Sequence, residues 1–140
     1  MTRTLSLASL LLIPRVGFLA AKSPGWLSTL DAMERKLVSD SLVYRYDPAA
    51  SPDGLQGSEG TFSLCTFWYV DALARSGRLD EARLVFEKMF TYANHLGLFS
   101  EEIDATGGQL GNFPQAFSHL SLISAAVNLD RQLDHGPGAV

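Results

Sequence analysis

Cysteine is nearly absent: Cys65 is the only one in 140 residues. A single thiol can build neither a disulfide framework within the chain nor a cysteine-based zinc cluster. Cys65 lies in the apolar run Phe62-Ser63-Leu64-Cys65-Thr66-Phe67-Trp68, where it reads as a small buried hydrophobe. Positive charge is sparse as well, with 11 Lys and Arg against 15 Asp and Glu, a net charge of −4. No basic stripe exists, which argues against nucleic acid as a partner. The cations are scattered and face acids at helical spacing, as Asp31 with Arg35 and Arg83 with Glu87. Long apolar runs are missing too. The run from Leu5 to Ile13 is far shorter than the ~18 residues a membrane span needs, so no membrane partner is expected. Arg3 before it gives the look of a signal peptide, but Pro14-Arg15 cuts the run early and no Ala-x-Ala site stands near Ala20 and Ala21. A short buried helix and a cytoplasmic location are the expectation.

What is present suits one globular unit, 46% hydrophobic and 19% charged. Residues 4–13 read as a short apolar helix ended by Pro14. Residues 26–37 form an amphipathic helix with Trp26, Leu30, Met33 and Leu37 on one face. Leu42 to Tyr46 is β-like, either a hairpin arm or an extended loop, and 47–60 is a Gly- and Pro-rich turn region. Residues 61–76 are apolar nearly all round, with only Asp71 and Arg75 charged, and Ser76-Gly77 stop them. Such a helix is buried on most sides. Residues 79–94 carry one apolar face (Ala82, Val85, Phe86, Met89, Phe90, Ala93) and one charged face, with Asp80 and Glu81 at the positive N-terminal end. After a loop at 95–113, a last helix opens at Pro114 and runs to about Leu133, apolar round most of its circumference. Residues 134–140 read as a tail. The fold class expected is all-α, with inner helices 61–76 and 114–133 alternating with the outer helix 79–94. No period near 34 residues is visible, which weakens a helical-repeat solenoid.

Chemistry concentrates in two neighbouring segments. Ser100-Glu101-Glu102-Ile103-Asp104 puts adjacent carboxylates in a loop, and Phe113-Pro114-Gln115-Ala116-Phe117-Ser118-His119 opens a helix ten residues on. Carboxylates on a loop held beside a rigid helix suit acid–base work on a neutral substrate. Two adjacent carboxylates repel when both are ionised, so one should titrate high unless a cation or donor intervenes.

Four segments recur in order: Gly60-Thr61-Phe62-Ser63-Leu64-Cys65-Thr66-Phe67-Trp68, Gly77-Arg78-Leu79-Asp80-Glu81-Ala82, Ser100 to Asp104, and Gly111-Asn112-Phe113-Pro114-Gln115-Ala116-Phe117-Ser118-His119. At these spacings, over roughly residues 8–133, the chain resembles the C-terminal part of glucoamylase-like and trehalase-like enzymes of glycoside hydrolase family 15. The resemblance implies part of an (α/α)6 toroid, about its last half. It also implies inverting hydrolysis of an α-glucosidic bond in oligosaccharides, polysaccharides or trehalose, with two carboxyl groups and no cofactor.

The same resemblance suggests roles for individual residues. Glu101 falls where the family has its general base, and Glu102 is its neighbour. Ser118 matches a serine that hydrogen-bonds the base, and His119 stands where fungal relatives carry an aromatic hydroxyl. Metal ligation by His119 is not expected, since no second His lies at motif spacing. Arg45 matches an arginine that contacts the sugar; its bland reading is a surface pair with Asp47. Trp68, with Phe62, can stack on a sugar face or sit in the core. Glu59 caps the following helix electrostatically or reaches the funnel. The family's general acid lies in a Trp-Glu segment, and here Trp26 is followed by Leu27 and Trp68 by Tyr69. The chain is therefore expected to carry the base without the acid and to be inactive alone. Two other readings remain: a helical-repeat interaction module built on the 67–90 hairpin, and a non-catalytic remnant that self-associates through exposed inner helices.

Overall fold

The computed structural model describes residues 7–47 and 59–135. The expected 47–60 loop lies almost wholly outside these residues, as do 1–6 and 136–140. Ala8–Leu12 is a five-residue 3-10 turn rather than an α-helix, with Ala8 and Leu11 buried. The Ala8 amide donates to the Arg45 carbonyl (2.9 Å), so this segment pairs with the extended chain before it can coil further.

Helix α1 (Pro24–Leu37) starts earlier than its apolar stripe suggests. Ser23 caps it by accepting the Trp26 amide, and Pro24 supplies a ready-made helical φ. Trp26, Leu30, Met33 and Leu37 are the buried face. The β-like 42–46 segment resolves into a hairpin arm. Strand β2 (Leu42–Val43) pairs antiparallel with β1 (Val38–Ser39), across Asp40 and Ser41, both at positive φ.

Helix α2 (Ser63–Arg75) is the centre of the molecule, packed by α3 (Leu79–Met89), α4 (Ala116–His135) and the N-terminal 3-10 turn. Strand β3 (Thr61–Phe62) leads straight into it. Gly77, at φ +85, ends α2, and the Arg78 amide closes back on the Leu73 carbonyl (3.0 Å). Asp71, read from the sequence as a last-turn charge, is 2% exposed and paired with Arg75 Nε at 2.8 Å. Asp31 lies 4.0 Å from Arg78, which also reaches Glu34 at 2.8 Å, while Arg83 pairs with Glu87 as the spacing indicates.

The chain is largely helical, as expected, but not purely so. Strands β4 (Glu102–Ile103) and β5 (Gln109–Leu110) join β3 in a small antiparallel sheet, ordered β3-β4-β5. Pro114 does not open α4. The Gln115 amide is spent on the Phe99 carbonyl (3.1 Å), and the helix begins at Ala116. It continues to His135, through the first two residues assigned to a tail.

Helix α4 packs against α2 with its small and polar side: Ser118, Ser121, Ala125, Leu129 and Gln132. Leu129 is buried there and Leu122 packs at its margin, but most of the helix's large apolar residues point away. Phe117, Leu120 and Ile123 are 66%, 60% and 59% exposed, and Val127 and Leu133 are exposed with them.

Phe99, fully buried, stands edge-on to Phe67 (5.4 Å), Phe90 (6.1 Å) and the His119 ring (5.9 Å). It fastens the 95–113 loop to three helical segments. Phe99→Ala is expected to cost about 3–5 kcal/mol of stability in urea unfolding. A loss under about 1 kcal/mol would mean that the loop is not anchored there.

Candidate active site

The site is built where the 99–104 loop passes between the start of α2 and the start of α4. Pairing of Thr61 with Ile103 and Phe62 with Glu102 lays this loop along β3. The Glu101 carbonyl accepts the Ser63 amide (3.0 Å), the first amide of α2, and the Glu101 amide donates to the Asn112 carbonyl (2.9 Å). Successive residues of extended chain face opposite sides. The two carboxylates accordingly diverge. Glu101 Oε2 accepts the Asn112 backbone amide (3.1 Å) and the Asn112 Nδ2 (2.9 Å). Glu102 Oε2 instead accepts the Gly60 amide (2.9 Å).

Glu102 titrates above the ordinary carboxylate range, chiefly because burial penalises its charged form. Repulsion from Glu59 and Glu101 adds to this, while the Gly60 amide and Arg45 oppose it.

The first turn of α4 grips the loop from the other side. Ser118 Oγ is 3.1 Å from the Ser100 carbonyl and 2.7 Å from Gln115 Oε1, so its hydroxyl serves the backbone beside Glu101. His119 accepts the Phe99 amide at Nε2 (3.3 Å), which leaves Nδ1 to donate to the Gln115 carbonyl (2.6 Å). Both ring nitrogens are thus engaged within the fold.

A cleft of about 350 Å³ opens in front of Glu101, walled by Arg45, Phe62, Trp68, Gln115 and Phe117. Arg45 pairs with Glu59 at 2.5 Å and lies over the Phe62 ring (4.7 Å) and the Tyr46 ring (5.0 Å). Its own titration is pushed further up, first by its hydrogen bond to Tyr46 and then by Glu59. The half-buried Trp68 presents ring surface to the same space. Glu101, Arg45 and Trp68 therefore meet at one cleft, and Glu59 holds Arg45. Ser118 and His119 support the loop from behind, and Glu102 belongs to the other side of the strand.

A second cleft, about 450 Å³, is walled by Tyr44, Glu59, Thr61, Tyr92 and Asp104. Its half-buried Asp104 is already committed, since Oδ1 accepts Thr106 (amide and hydroxyl, each 2.7 Å) and the Gly108 amide (2.9 Å). Among the described residues no group of three or more His, Cys, Asp and Glu could hold a metal ion. Cys65 is buried, and burial pushes its thiol up to about 12, which keeps it protonated.

Sequence reasoning assigned no role to Asn112, although it stands in the quoted Gly111-Asn112 segment. Its contact with Glu101 spans the β4–β5 hairpin, and no local pattern announces it.

The cleft thus joins a carboxylate, an arginine and an aromatic wall. The model of the glycosyl hydrolases family 15 matches residues 6–127, and the chain belongs to that family. It is 46% identical over 125 residues to a trehalase of Mycolicibacterium smegmatis, covering 89% of this chain and 19% of the relative. It is also 46% identical over 128 residues to a trehalase of Thermoplasma volcanium (90% and 20%) and 34% identical over 119 residues to trehalase 1 of Sulfolobus acidocaldarius (84% and 21%). The chain spans about a fifth of the length of the curated relatives it matches. No solved structure matches it.

The raised Glu102 carboxyl makes a signed prediction. The native state holds this proton to higher pH than the unfolded chain does. Its contribution therefore weakens stability as pH rises from the ordinary carboxylate range through the raised native value. Glu102→Gln keeps an oxygen for Gly60 and removes the titration. Relative to wild type, the variant should gain stability across that window in urea unfolding followed against pH. A constant difference would contradict the assignment.

Proposed function

We propose that this chain is the part of an inverting α-glucoside hydrolase that carries the general base, Glu101. The observation that carries the reading is the placement of a doubly hydrogen-bonded Glu101 carboxylate on a cleft wall with Arg45 and Trp68. A base of this kind takes a proton from the water that attacks the anomeric carbon, on the face opposite the leaving oxygen. Arg45 would present its fork of donors to sugar hydroxyls, and Trp68 would offer an apolar platform to the ring. Glu59 keeps Arg45 oriented. Ser118 and His119 hold the Glu101 loop, and Glu102 supports it from the far side of the strand.

Inversion needs a second carboxyl about 6.5–9.5 Å from the base, protonating the departing oxygen. Glu59 is bound to Arg45 and Glu102 faces Gly60, so neither is free for that task. The acid belongs to the stretches that the relatives have beyond this fifth. An (α/α)6 toroid completed by those stretches would cover the apolar side of α4. Trehalose is the substrate to test first, since the relatives are named trehalases.

A self-associating reading has its own support. The exposed Phe117, Leu120 and Ile123 form a stripe along α4 that favours burial. In the chain by itself a second copy would cover it.

Two tests follow. The isolated chain should release no glucose from trehalose or maltose. A chimera in which it replaces the matching stretch of the Mycolicibacterium smegmatis trehalase should hydrolyse trehalose, and Glu101→Gln should lower its kcat by about 10²–10⁴-fold. An active isolated chain, or a chimera indifferent to Glu101→Gln, would refute the reading. In sedimentation velocity the isolated chain should associate as its concentration rises, and Leu120→Lys with Ile123→Lys should leave it monomeric. Concentration-independent monomers of the unmodified chain would rule out the second copy.

A further inference from the structure

We propose that Asn112 is a positioning residue for Glu101, and that Gly111 is the position that admits this contact; the catalytic meaning rests on Glu101 being the base. Asn112 makes three hydrogen bonds to this one residue. Its carbonyl accepts the Glu101 amide (2.9 Å), and its backbone amide and Nδ2 both donate to Oε2 (3.1 and 2.9 Å). The first fixes the backbone of Glu101, and the other two fix the rotation of its carboxylate.

Both side-chain contacts fall on the same oxygen, so the pair acts as a two-pronged clamp on one edge of the carboxylate. The Asn112 amide orientation follows from chemistry, because an ionised carboxylate only accepts and Nδ2 is the end that donates. Gly111 supplies the room. It sits at φ +73, and a Cβ there would lie 2.8 Å from Glu101 Oε2 and 3.0 Å from Glu101 Cβ. Any larger residue would drive Glu101 off the clamp, besides being strained in the left-handed region.

A general base works only within hydrogen-bond reach of the proton it takes, and about 0.5 Å of freedom is enough to spoil such a site. Helix α2 reaches Glu101 through its backbone carbonyl, not its side chain. Among the contacts of Glu101, those with Asn112 are the ones that orient the carboxylate itself.

The test is nuclear magnetic resonance on the full chain, with and without substitutions. In the unmodified chain Glu101 should show side-chain couplings of a single rotamer, and the Asn112 side-chain amide signals should move in Glu101→Gln. In Asn112→Ala the Glu101 couplings should average, while signals from α2 and α3 keep their positions. Gly111→Ala should do the same. A Glu101 side chain still fixed in Asn112→Ala, or Asn112 signals unmoved by Glu101→Gln, would overturn the proposal. These readouts involve no hydrolysis, so they stand or fall separately from the base assignment. In the trehalase chimera, Asn112→Ala should lower kcat about 100-fold with KM unchanged. A raised KM at constant kcat would also overturn it, since that is the mark of lost binding rather than a misplaced base.

Discussion

The backbone of Phe99, Ser100 and Glu101 is hydrogen-bonded from two helices at once, and the site depends on that double attachment. From one side the first amide of α2 reaches the Glu101 carbonyl, and from the other Gln115, Ser118 and His119 of the α4 start take the Phe99 and Ser100 backbone. The Phe99 ring anchors the segment in an aromatic cluster of Phe67, Phe90 and His119. A loop carboxylate would ordinarily be a mobile, solvated group. Here the backbone beside it is pinned from both helices, and Asn112 holds the carboxylate itself.

This attachment also explains why two adjacent acids can coexist. Extended chain sends Glu101 toward Asn112 and the cleft, and Glu102 toward Gly60 on the far side. Each carboxylate meets amide donors of its own. The pair is thereby divided, with one carboxylate on the cleft wall and the other bound to the Gly60 amide.

Much of this was legible in the sequence, and the exceptions have physical causes. The apolar circumference of α2 is a local periodicity and appears as read. So do Ala82, Val85 and Met89 on the buried face of α3, but that helix ends at Met89 rather than residue 94, and Phe90 is exposed. Glu101 and Arg45, chosen by their register with a family, and Trp68, read as either a sugar platform or a core residue, line one cleft. What escaped depends on distant partners. Asn112 meets Glu101 across a hairpin, and Pro114 stays outside α4 because the next amide is claimed by Phe99. Asp71 is buried in the helix that α4 packs on, with Asn128 Nδ2 3.5 Å from its carbonyl. Helix α4 is the sharpest case. Its apolar periodicity implied burial, yet Ser118, Ser121 and Ala125 with Leu129 make the close contact with α2, and Phe117, Leu120, Ile123, Val127 and Leu133 lie outside. Periodicity reports which side seeks cover. It does not report whether the cover is in the same chain, and this chain spans about a fifth of its relatives.

The account stands on the claim that the Glu101 loop is as firmly held as the helices that flank it. Hydrogen exchange of individual amides in the intact chain measures this directly. The amides of Ser63, Phe99, Glu101, Asn112 and Gln115 should exchange together, with protection comparable to the middle of α2. Exchange of Phe99, Glu101 and Asn112 at the rate of an open loop, while α2 stays protected, would contradict it.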